Sequence, residues 1–240
     1  MLRFISLFVV GGLLAACVSL PAGMSDIDLS PDSKKQANIM PEAVVAEGLR
    51  EALRLGADRV AKQLGQPGGF LNDAAVKINL PPAYVQARQV LAAAGMSYLL
   101  DDLEVRMNQA AEEAQPLFAD VFWRQASALT VTDAMQILQG PPDAATRYFE
   151  QRMTPELVNT LSPVMERRLE RLDGMRLFQQ IQQAYASMPF APPLNLNLPE
   201  YAARQAIAGT FYYLAQEEAR IRQNPAARTT EILRQVFAQR

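Results

Sequence analysis

From Glu42 onward the apolar residues of this chain recur every third or fourth position, and that regularity restricts its fold more than any other feature. Val45, Leu49, Ala52, Leu53, Val60 and Leu64 form one stripe, with Glu47, Arg50, Glu51, Arg54 and Asp58 between them. The spacing predicts a helix over 42–64, closed at Gly65. Pro82 opens a second helix reaching Ala94 and Gly95, and a third from Met96 carries Leu99, Leu100, Leu103, Met107 and Ala111 on one side. Pro116 marks a break, after which Leu117 to Leu129 reads as helix. Thr130 followed by Asp133 looks like a capping box for a short helix ending at Gly140. Thr154-Pro155 and Ser162-Pro163 each place a hydroxyl before a proline suited to a first helical turn, and Gly174 separates off a helix from Met175 to Ser187. A last long helix spans Pro199 to about Gln223, and Thr229 caps a short terminal one. The fold class is therefore all-α: an irregular multi-helix domain over 42–240, with at most a short two-stranded β pairing.

That pairing would come from two segments that leave the helical period. In Phe70 to Pro81, Val76, Ile78 and Leu80 alternate with Lys77 and Asn79; in Pro189 to Pro199, Leu194, Leu196 and Leu198 alternate with Asn195 and Asn197. Val76 to Leu80 and Leu194 to Leu198 are expected to meet as a ribbon, buried against helices because an isolated ribbon is marginal in water. Asn72, Asp73 and Lys77 stand just before the first strand, so the junction is the preferred ligand site.

The N-terminus has a different logic. Arg3 supplies one positive charge, and Phe4 to Leu14 is an unbroken run of apolar and small residues. About 11 residues are too few to span a bilayer core, which takes roughly 20, so 1–16 reads as a removable signal peptide. Leu14-Ala15-Ala16-Cys17 looks like a lipobox, and Cys17 is the chain's one cysteine, with no disulfide partner within it. Lipidation of Cys17 by palmitate-like chains would hold the protein at a membrane in the cell envelope. Val18 after the cysteine favours the outer membrane, by resemblance to the sorting rule of Gram-negative lipoproteins. Residues 17–41 mix Ser, Pro, Asp, Lys and Asn without a sustained period and read as a lipidated, flexible tether.

Composition narrows the chemistry. Without Arg3 the chain has 22 basic residues against 25 acidic ones, which argues against nucleic acid as a partner. Histidine is absent, and the one thiol is assigned to lipid. Histidine-based triads and ordinary zinc sites are thereby excluded, and no metal or cofactor is expected.

Three groups of residues together are recognisable: Glu47-Gly48-Leu49-Arg50-Glu51-Ala52-Leu53, Gln66-Pro67-Gly68-Gly69-Phe70-Leu71-Asn72, and Arg222-Gln223-Asn224-Pro225-Ala226-Ala227-Arg228-Thr229-Thr230. They resemble the bacterial family known as domain of unknown function 4197. The resemblance implies a helical, envelope-located lipoprotein and carries no activity with it.

Candidate sites divide into chemical and structural readings. Glu104, Asn108 and Glu112 lie at i, i+4 and i+8 on one stripe; the outer two are roughly 12 Å apart along a helix axis, too far for one coordination shell. A solvated stripe with Asn108 bonded to a neighbouring segment is the simpler reading. Pro67-Gly68-Gly69 lacks the lysine and hydroxyl of a phosphate loop and fits a positive-φ turn. Arg167, Arg168, Arg171 and Arg176 interleave with Glu166, Glu170 and Asp173 as an ion-paired face. Arg222, Asn224 and Arg228, with Thr229, form the most distinctive polar cluster: a structural joint, or two guanidiniums able to hold a carboxylate or phosphate.

The leading expectation is a non-catalytic, envelope-anchored binding or scaffold domain, whose partner is an envelope protein, a lipid or a peptidoglycan-derived ligand. The alternative is a carboxylate-dependent envelope hydrolase, which needs two acidic groups facing each other across a cleft. Replacing Cys17 with Ala is expected to release the protein from the membrane fraction and abolish acyl labelling. Labelled, membrane-bound Cys17→Ala protein would contradict the assignment.

Overall fold

The computed structural model describes residues 41–189 and 191–238. The proposed signal segment, Cys17 and all but the last residue of the proposed tether lie outside them. The described residues form eight α-helices and no strand: α1 Glu42–Leu64, α2 Pro82–Ala93, α3 Tyr98–Ser127, α4 Val131–Gln139, α5 Ala144–Arg171, α6 Gly174–Ala186, α7 Leu198–Gln223 and α8 Glu231–Phe237. A 3-10 turn, Pro225–Ala227, joins the last two.

The four long helices pack in a ring, α1 on α3, α3 on α5, α5 on α7 and α7 on α1. Their apolar stripes close over one continuous core. At its centre Phe118 and Phe122 of α3 meet Phe149 of α5 and Phe211 of α7, with ring centroids 5.4 to 6.2 Å apart. The short helices cover the outside: α4 rests on α1 and α5, α6 on α3 and α5, α2 on α6, and α8 on α1. Gly48 makes the last contact possible, because a Cβ there would sit 2.4 Å from Val236 Cγ2.

Prolines do not divide the helices as the sequence implies. Pro116 lies inside α3, and Pro155 and Pro163 lie inside α5. Each proline removes one backbone donor, but packing on two neighbours holds the helix through the loss. Thr154 and Ser162 are not N-caps either: their hydroxyls donate back to the carbonyls of Glu150 and Val158, both at 2.6 Å. Thr130 does cap α4, its hydroxyl accepting from the Asp133 amide at 3.1 Å. The C-terminal helix begins one residue late, after Thr230 instead of Thr229.

The expected ribbon is absent. No backbone hydrogen bond links Val76–Leu80 to Leu194–Leu198, and Leu198 is the first residue of α7. The alternation nonetheless assigns the faces of the first segment, since Val76, Ile78 and Leu80 are buried while Asn79 is exposed. What it misses is the partner, which is a helix. The two segments are linked through side chains to their carbonyls: Tyr201 of α7 donates to Asn79 O at 2.7 Å, and Tyr84 of α2 to Leu194 O at 3.4 Å.

Phe122 contacts three aromatic neighbours, counting Phe118, Phe149 and Phe211, and is fully buried. Phe122→Ala is expected to lower unfolding stability by about 3 to 5 kcal/mol in denaturant titration. A loss below about 1 kcal/mol would contradict the central position of this cluster.

Candidate functional site

The connection from α1 to α2 crosses α3 as a series of turns followed by an irregular stretch from Lys77 to Pro81, and its backbone finds partners on that helix. It begins with Gly68 at φ +83°, the positive-φ turn expected from the sequence. Gly69 is required for a different reason, because a Cβ there would lie 2.4 Å from the Leu64 carbonyl oxygen. One oxygen of Glu112 then accepts from the amides of Phe70 and Leu71, at 3.1 and 3.2 Å. Asn108 treats Ile78 as a neighbouring strand would: its Oδ1 accepts from the amide at 2.8 Å and its Nδ2 donates to the carbonyl at 2.9 Å. Glu104 accepts from the Leu80 amide at 3.1 Å. The Glu104, Asn108, Glu112 stripe is thus covered by the connection, not solvated, and Asn108 is fully buried.

Of the residues proposed at this junction, Asp73 is tied to α7 by a short hydrogen bond from the Tyr213 hydroxyl. That bond, with burial, pushes the Tyr213 phenol up to about 12. Lys77 lines a shallow depression with Gln205, Ala208, Gly209 and Tyr212 of α7. Asn72 is exposed beside the Gly68 turn.

The second proposed cluster forms the joint between α4, α5 and α7. Glu218, nearly buried, accepts from the amides of Ala145 and Thr146 at 3.0 and 2.8 Å and from the Thr146 hydroxyl at 2.7 Å. It thereby caps the N-terminus of α5 with a negative charge. Arg222 pairs with Glu218 at 2.8 Å and donates to the carbonyls of Ile137 and Leu138 at the end of α4. Arg228 donates to the carbonyls of Ile221 and Arg222, and Asn224 accepts from the Ala226 amide at 3.0 Å. The cavity beside Glu218 and Arg222 is about 10 Å³, near the smallest space that holds one water. The run at Arg168 and Arg171 is ion-paired too, through Glu113 of α3.

A polar cleft lies elsewhere, among the end of α3, the start of α4 and the first half of α5. It encloses about 240 Å³ and is lined by Gln125, Thr130, Asp133, Tyr148, Arg152 and Glu156 over a floor that includes Leu129, Phe149 and Met153. Tyr148, Arg152 and Glu156 stand at i, i+4 and i+8 of α5, so one helix presents a phenol, a cation and an anion in a row. The Arg152 guanidinium lies 4.4 Å from the Tyr148 ring centroid, and among the described residues it makes no hydrogen bond or ion pair. Glu156 accepts from Gln125 at 2.8 Å. The Thr130 hydroxyl, donating at 2.6 Å, holds the Asp133 carboxyl below the usual range, with smaller contributions from the Tyr148 hydroxyl and the Arg152 charge. Burial, then Asp133, pushes the Tyr148 phenol up. Perturbed groups gathered in a cleft mark a functional candidate. Sequence reasoning missed this site, and the available signal was the 148, 152, 156 stripe.

Asn108→Ala leaves the buried Ile78 amide and carbonyl without partners and is expected to reduce stability by about 1 to 3 kcal/mol in denaturant titration. An unchanged midpoint would mean that the connection does not depend on this side chain.

No curated protein and no solved structure matches this chain. The sequence profile of one family matches residues 40–238. The chain therefore belongs to that family, described as protein of unknown function (DUF4197).

Proposed function

We propose that this protein is an envelope lipoprotein, anchored through Cys17, whose helical domain is a non-catalytic recognition module that binds its ligand in the cleft of α3, α4 and α5. The observation that carries the reading is the division of labour among the charged groups. Glu112 and Glu218 serve backbone amides of other segments, whereas Arg152 faces a cleft with its donors available. A site with fixed charges over an apolar floor recognises a small polar molecule.

Hydrolysis by paired carboxylates needs one acid kept protonated near neutrality beside an ionised partner. Asp133 is held in the opposite sense, toward the ionised form. Burial raises the Glu217 carboxyl, opposed by Arg59; that group is ion-paired with Arg59 at 2.6 Å and Arg220 at 2.5 Å and does not line the cleft. The division of labour among the charged groups therefore supports the recognition reading.

A ligand that binds only the folded state raises its melting temperature by mass action. Low-molecular-weight envelope extract is expected to raise the Tm of the wild-type protein and to leave that of Arg152→Gln protein unchanged. No shift in the wild type, or equal shifts in both, would overturn the reading.

A further inference from the structure

One residue in five of this chain is charged, yet two stretches contain no Asp, Glu, Lys or Arg: Gln89 to Leu100, and Leu177 to Pro199. The fold brings them together. Tyr84 of α2 stacks on Phe178 of α6 with ring centroids 5.9 Å apart, and Tyr84 and Gln182 of α6 both donate to the Leu194 carbonyl. Met96, Tyr98 and Leu99 line a groove of about 340 Å³ with Gln180, Gln183 and Ala184. The Met96 amide donates to the Leu91 carbonyl at 2.9 Å, which sets this groove beside the end of α2. Of the six exposed large apolar side chains among the described residues, four lie here: Val85, Val90, Met96 and Tyr98. The charges at the border, Arg88 and Asp101, pair with each other. An uncharged apolar patch of this kind marks an interaction surface.

We infer that this face of α2, the α2–α3 turn and the end of α6 is a homodimer interface, covered by a second copy of the chain related by a twofold axis. A twofold interface sets a surface against itself, so charges of one sign would repel their own copies; neither stretch carries any. The rim is its own complement. Gln86, Gln89, Gln180 and Gln183 are exposed, and their side chains make no hydrogen bond among the described residues. A carboxamide donates and accepts, so each can bond its counterpart in the other copy. Size agrees as well. The first stretch exposes eight residues and the second ten, with Val85 and Gln86 beside them, which reaches the roughly 20 that one side of a standard interface uses. A bilayer surface is a poorer match, because segments that lie on lipid carry Lys or Arg beside their apolar residues. The interface is at the start of α3 and the ligand cleft at its end, about 40 Å along the axis, so the two are separable by mutation.

The test is sedimentation equilibrium of the chain from residue 17 onward, with Cys17→Ser so that no acyl group or disulfide joins the copies. A reversible dimer is expected. Val90→Glu and Met96→Glu are each expected to raise its dissociation constant about tenfold or more, since each sets a charge against its own copy in an apolar interface. Both side chains are already exposed in the single chain, so circular dichroism of these variants is expected to match the parent. Trp123→Gln removes an exposed apolar side chain outside the face and is expected to leave the dissociation constant unchanged. A parent that stays monomeric at about 100 µM would overturn the inference, as would a dimer that survives both glutamates or is weakened equally by Trp123→Gln. A monomeric parent that co-sediments with phosphatidylcholine vesicles, and loses this with Met96→Glu, would give the face to lipid and overturn the inference too.

Discussion

Every buried amide and carbonyl outside a helix needs a hydrogen-bond partner, and in this fold no sheet is present among the described residues to supply one. The partners are side chains projecting from the long helices. Glu112, Asn108 and Glu104 of α3 hold the connection to α2; Glu218 of α7 holds the first turn of α5; Arg222 and Arg228 hold the ends of α4 and α7. Arg50 of α1 does the same for the Leu129 carbonyl, at 2.6 Å. Apart from those of Arg228, these bonds join segments distant in sequence, so the arrangement of the bundle and the satisfaction of its loops are one problem solved together.

The same constraint decides where chemistry is available. A carboxylate that accepts two backbone amides, or a guanidinium laid against two carbonyls, is fixed in place, and removing one partner leaves a buried group unsatisfied. That accounts for polar residues that look catalytic by composition and spacing yet lie under other segments, Glu112 and Glu218 foremost. Arg152, Asp133 and Glu156 differ because they border space and not backbone.

Legibility in the sequence follows the range of the interaction concerned. Helical period, inward faces and the Thr130 cap are local and were readable, as was the inward set Val76, Ile78 and Leu80. Prolines misled because proline is a terminator only when nothing else holds the helix; Pro116, Pro155 and Pro163 sit in helices packed on two sides. Period-two alternation told which residues face inward but not whether a strand or an Asn side chain meets the backbone. Arg222, Asn224 and Arg228 were recognisable as a joint, whereas their partners on α4 and α5 were not. The cleft draws residues from three helices, and only its α5 stripe has a signature in one stretch of chain.

Amide hydrogen exchange on the folded protein, read by NMR, tests the central claim most directly. If helix side chains satisfy this backbone, the amides of Phe70, Ile78, Leu80, Ala145 and Thr146 exchange as slowly as those in the middle of α3 and α7, although none has a regular helical partner. Exchange of these amides at the fast rate of exposed loops, with the middles of α3 and α7 still protected, would contradict the account.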